Sequence, residues 1–150
     1  MHHRFRQIKL LTVDDWRVIW VSLVALPVTA LALRAAGLKR TNAWLSGPAS
    51  PVDGAGLDPA GEIEAAVRVV RAVGIAANHG PYRANCLKRA LVSRWLLARR
   101  GIDSEIRYGA TKDTASFLAH AWIEVQGIPI GEGEGVEARY ATFVARDGAE

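Results

Sequence analysis

Apolar positions change their spacing once along the chain, from helical over the first hundred residues to alternating over the rest. Thr12 is placed as an N-cap, Asp14 and Asp15 fall in the first turn, and Leu11 is set to staple against Trp16, so a helix is predicted to start there. Residues 18–33 carry no charge. Pro27 lies inside that run, lacks a backbone donor and clashes one turn back, which predicts two helices or one bent helix. Asp58 and Pro59 set a second start, after which Ile63, Ala66, Val67, Val70 and Val73 recur at helical spacing to about Ala77, before Gly80 and Pro81. A third helix is capped by Asn85, has Cys86 at its first position and an apolar stripe of Leu87, Ala90, Leu91, Trp95 and Ala98, and ends at Gly101. Beyond it Ile106 and Tyr108 alternate against Glu105 and Arg107, and residues 119–125 and 128–132 continue the two-residue period. Helices first and antiparallel strands second predict an α+β fold rather than alternating units around a parallel sheet.

Composition narrows the class. With 150 residues, half of them apolar, the chain removes roughly 70% of its unfolded surface from water on folding and needs neither a disulfide nor a structural metal. Cys86 is the one cysteine, which excludes a disulfide-stapled scaffold and a four-cysteine zinc ribbon. Nine of the sixteen residues 46–61 are Gly, Pro or Ser, the composition of a loop. The expected division is therefore 1–60, a helical N-terminal segment with its linker, and 61–150, the core. A net charge of +4, spread over both parts, does not point to nucleic acid. A membrane span needs about 20 apolar residues, so the uncharged run falls short, although Arg17 and Arg34 at its ends suit one. Acidic residues ahead of the run argue against a cleaved signal peptide, and the expected location is the cytoplasm.

The chemistry centres on Cys86. A thiol at a helix N-terminus meets the positive end of the helix dipole, and Lys88, Arg89 and Arg94 follow with no acid before Asp103; both features favour thiolate. A lone cysteine is more often a small buried apolar residue. His120 shares a strand face with Trp122 and Glu124, opposite Ala119, Ala121, Ile123 and Val125, and is either structural or the partner of a nucleophile. If Val125, Gln126 and Gly127 form a three-residue hairpin loop, His120 pairs directly with Glu132. A two-residue loop puts Glu132 opposite Ala121, on the other face. His79 competes as a loop histidine, but a metal site made of Cys86, His79 and His120 lacks a close ligand pair. The Lys88, Arg89, Arg94, Arg99 and Arg100 series reads as a solvated helix face, its first members able to meet an acidic peptide.

Two stretches, NCLKRALVSRWLLARRGIDSEIRYGA and FLAHAWIEVQGIPI, make residues 78–140 resemble the leader peptidases of lasso-peptide biosynthesis, whose domain is transglutaminase-like and related to papain. The signature is a Cys opening a Leu-rich helix, an Arg-Arg-Gly-Ile exit into a strand, then a His-Ala-Trp-hydrophobic-Glu strand with a glycine turn. The resemblance implies a papain-like core, with the catalytic Cys on a helix N-terminus packed on a small antiparallel sheet, behind an apolar helical segment. It makes Cys86 the nucleophile and His120 the general base and acid. The third member is usually Asp, twelve residues beyond the His; here that position is Glu132, with Glu134 in reserve. The implied reaction is cofactor-free hydrolysis of one peptide bond in a ribosomally made precursor. Leader and core are thereby separated for a distinct ATP-dependent macrolactam cyclase. The chain looks like the split form, in which a separate recognition protein delivers the leader and the apolar segment faces that protein. A non-catalytic precursor-binding adaptor and an acyl-transferring enzyme of the same fold are the alternatives.

Overall fold

A computed structural model describes residues 12–45, 57–111, 119–132 and 140–143. Among these residues three helices, α1 (Val13–Leu45), α2 (Pro59–His79) and α3 (Cys86–Ala98), precede four strands, β1 (Glu105–Thr111), β2 (Ala119–Val125), β3 (Ile128–Ile130) and β4 (Tyr140–Phe143). The strands form one antiparallel sheet in the order β3-β2-β1-β4. The α+β expectation is met, and the helices pack on one another and on β1, β2 and β3.

Thr12 and Asp15 cap α1 reciprocally. The Asp15 amide donates to Thr12 Oγ1 at 3.3 Å and the Thr12 amide to Asp15 Oδ2 at 2.8 Å, so each satisfies a donor that a helix start leaves orphaned. Arg68 of α2 donates to Thr12 Oγ1 at 3.1 Å and pairs with Asp15 at 3.6 Å, which fastens the start of α1 to α2. Burial alone raises the pKa of Asp15, but the Thr12 amide and hydroxyl and the Arg68 charge outweigh it and hold the carboxyl below its ordinary value. Leu11 and its staple lie outside the described residues.

The break expected at Pro27 falls instead at Gly37, where two helical stretches meet across a kink. α1 runs through Pro27, and its non-helical residue is Gly37 (φ 74°, ψ 173°). Pro27 lies on the exposed side, where the carbonyl that loses its partner can tilt to water. Gly37 takes a left-handed conformation that costs a glycine little, and the buried Thr41 hydroxyl donates to its carbonyl at 2.8 Å.

On α2 the buried face is also shifted. Val67 is exposed, whereas Ala66, Val69, Ala72, Val73, Ala76 and Ala77 are buried. Small side chains set that face because α2 packs against both α1 and α3, and close helix approach favours alanine over bulk. α3 is covered more widely than its expected stripe: Val92, Ser93, Leu96 and Leu97 are buried as well as Ala90 and Leu91, since α1, α2 and the sheet all touch it. Its end is as expected, with Gly101 left-handed at φ 72° and the Ile102 amide reaching back to the Leu97 carbonyl. The shared core joins Val18, Ile19 and Leu26 of α1 to Val69 and Val73 of α2, Val92 and Leu97 of α3, and Ala121, Ile123, Val125 and Ile130 of the sheet.

Candidate active site

Cys86 opens α3 because Asn85 stops the chain before it. Asn85 is extended (φ −75°, ψ 172°), and its side chain accepts from the Lys88 amide at 3.2 Å. Lys88 Nζ donates to the Tyr82 hydroxyl at 2.6 Å, tying the approach loop to the first turn. The thiol is half-buried and free.

His120 is the second residue of β2, held among aromatic rings. Its ring lies 5.9 Å from Trp122, nearly parallel, and 5.1 Å from Tyr140. Gly109, its cross-strand partner, makes the room: a Cβ there would stand 2.8 Å from Tyr140 Cβ and 3.1 Å from the Trp122 ring. Trp122 Nε1 donates to Glu124 Oε1 at 3.0 Å, and Arg107 Nε of β1 donates to Glu124 Oε2 at 2.8 Å. Glu124 is a buried carboxylate, and a cation with an indole N–H supplies the pairing that burial demands.

Glu132 meets His120 through one contact, Oε2 to Nε2 at 3.0 Å, in which the Nε2–H tautomer of the ring donates to the carboxylate. The route to it differs from the simple strand register. The hairpin loop has two residues, Gln126 (φ 53°) and Gly127 (φ 76°), with Val125 paired to Ile128, the left-handed pair that suits a tight hairpin. That register sends Glu132 toward the Ala121 face. Instead β3 stops at Ile130 and Gly131 turns left-handed at φ 74°, interrupting the alternation and bringing Glu132 to His120. Gly131 is required twice over, because a Cβ there would come 2.7 Å from Val70 Cγ1.

Cys86, His120 and Glu132 line one small cleft of about 50 Å³, together with Arg89, Ser93 and Val70. The site expected from the sequence is thus gathered in one place, from the start of α3, the start of β2 and the exit of β3. Glu134 lies outside the described residues. His79 bonds to its own helix, Nδ1 to the Ile75 carbonyl at 3.1 Å, and is not among the cleft residues. Among the described residues no three His, Cys, Asp or Glu side chains cluster as metal ligands. A larger groove of about 700 Å³ between α1, α2 and α3 contains none of the three site residues; its rim charges include the pairs Arg100–Asp14 at 3.2 Å and Arg68–Asp15 at 3.6 Å.

Strand alternation puts Trp122 and Glu124 on the face of His120, and the sequence alone assigns them no task. The available signal was the carboxylate itself, since a Glu in a buried strand needs a cation and Arg107 is the basic residue on the adjoining strand. Chemically, the arrangement offers a thiol at the positive end of a helix, an imidazole within the same cleft and a carboxylate that orients that imidazole, which suits nucleophilic acyl transfer. No curated protein and no solved structure matches the chain. A family model described as the transglutaminase-like superfamily matches residues 25–145.

Proposed function

Because the chain belongs to the transglutaminase-like superfamily, whose fold is compatible with cysteine peptidase or acyltransferase chemistry, we propose that it is a cysteine peptidase acting through Cys86, His120 and Glu132. The observation that carries this reading is the 3.0 Å contact of His120 Nε2 with Glu132 on the cleft that Cys86 also lines. With Nε2 engaged by the carboxylate, Nδ1 is the nitrogen that exchanges protons with the reacting groups. The Cys86 sulfur gives up its proton to His120 and attacks the scissile carbonyl, forming a C–S bond. His120 returns the proton to the leaving amine as the C–N bond breaks. Water, deprotonated by His120, then opens the thioester and regenerates the thiol. The first amides of α3 have no intrahelical acceptor, and the Cys86 N–H is the oxyanion donor in this scheme.

The substrate proposed is the precursor of a lasso peptide, cut once at the junction of leader and core. The support is the paired signature around Cys86 and His120 described above. A separate recognition protein delivers the leader, and the macrolactam cyclase takes the released core. The test is mass spectrometry of such a precursor incubated with its recognition protein and either the wild-type chain or Cys86→Ala. One cut at the junction with wild type and none with the variant is the expected result. A product heavier by an added amine rather than by water would identify an acyl-transferring enzyme. Binding without any change in mass would identify an adaptor.

A further inference from the structure

Among the described residues, eight of the eleven exposed large apolar side chains lie on α1. Five of them, Trp16, Trp20, Val24, Val28 and Leu31, recur every three or four residues, and so form one stripe about 22 Å long. The opposite face, with Val18, Ile19, Ser22, Leu26 and Thr29, is buried against the rest of the molecule. α1 is long and apolar enough to cross a membrane, yet 28% of its most apolar window is buried inside the protein. A helix with one side committed to a protein core cannot be surrounded by lipid. It can lie flat on lipid with the other side.

Charge points to what covers the stripe. Residues 16–45 contain Arg17, Arg34, Lys39 and Arg40 and no acid, while residues 46–150 hold 12 basic against 13 acidic residues. Helical spacing puts Arg17 and Arg34 on the stripe's own side, one near each end. Exposed tryptophans and aliphatics bracketed by cations match an anionic lipid interface, where indoles sit at headgroup depth and arginines reach the phosphates. We propose that α1 is an in-plane membrane-docking helix that seats its Trp16–Leu31 stripe on an anionic bilayer surface. This is independent of the reaction assigned to Cys86.

The test is sedimentation of the full chain with vesicles of phosphatidylcholine alone and of phosphatidylcholine mixed with phosphatidylglycerol, together with tryptophan emission. Binding to the anionic vesicles, a blue-shifted emission and loss of binding at high salt are expected. Trp20→Gln with Val24→Gln should abolish binding, and Arg17→Glu with Arg34→Glu should lower the partition coefficient by about tenfold or more. All four positions are exposed or on the exposed side, so both variants should keep the wild-type thermal midpoint. Sedimentation unchanged by vesicles of either composition would overturn the proposal. So would an emission shift that follows protein concentration without lipid and disappears in the same variants, since a second copy would then cover the stripe.

Discussion

Removing the Cys86 sulfur deletes the nucleophile, whereas removing the Glu132 carboxylate deletes only what aims the imidazole. Cys86→Ala should therefore bring cleavage to background, and Glu132→Ala should lower kcat by roughly 10² to 10⁴ while leaving activity above that background. Single-turnover cleavage with saturating precursor measures both. Gly131→Ala should act on Glu132 at a distance: its φ of 74° disfavours any L side chain and its Cβ would press on Val70. A loss of about 1–3 kcal/mol in urea unfolding, with a fall in kcat, is the expected result. At this scale the sequence was informative about which side chains meet but not about how. Cys86, His120 and Glu132 were named by spacing and resemblance; the left-handed turn at Gly131 that joins the last two was not, because a glycine four places past a hairpin turn has no local signal separating a strand residue from a break. Arg107 and Glu124 were missed for another reason, since their pairing depends on β1 and β2 being neighbours.

Helix starts were legible because capping is a local matter. Asp15 shows the energetics that capping carries. Its carboxyl is held below the ordinary value near 3.8 by Thr12 and Arg68 against the pull of burial. The charged form is thus favoured in the folded state, and the stability it adds is fully present above the unfolded pKa and is lost as pH falls through the lower folded one. Asp15→Asn should destabilise the protein by about 1–2 kcal/mol at neutral pH. That difference should shrink as the pH drops below about 4 in matched urea titrations. Element faces were less legible than element starts. The sequence stripe on α2 picked the bulky Val67, but neighbours on two sides reward small residues, and that requirement comes from packing and not from the helix. Pro27 misled similarly: its cost to a helix depends on which side of the bundle its freed carbonyl faces.

At the scale of the molecule, α1 is both a lid over the core and an exposed surface. Val18, Ile19 and Leu26 share the core cluster with α2, α3 and the sheet, so a chain lacking residues 1–45 should lose cooperative unfolding and near-ultraviolet dichroism rather than survive as a smaller enzyme. The order of helices then strands was visible from the change of period, and so was the antiparallel character of the sheet. Strand order was not, because β4 joins β1 at the far edge from β3, a long-range choice that no local pattern encodes. The hairpin between β2 and β3 leaves a further consequence, best put as parity. Side chains along a strand alternate like odd and even numbers, a two-residue loop gives Glu132 the wrong parity for His120, and Gly131 reverses it once. One residue inserted between Ile130 and Gly131 would reverse it a second time and point the carboxylate away from the imidazole, whereas one inserted in the exposed turn leaves Val125 opposite Ile128 and should be absorbed there; a change at the strand exit should thus silence the triad while leaving all three of its members in the chain.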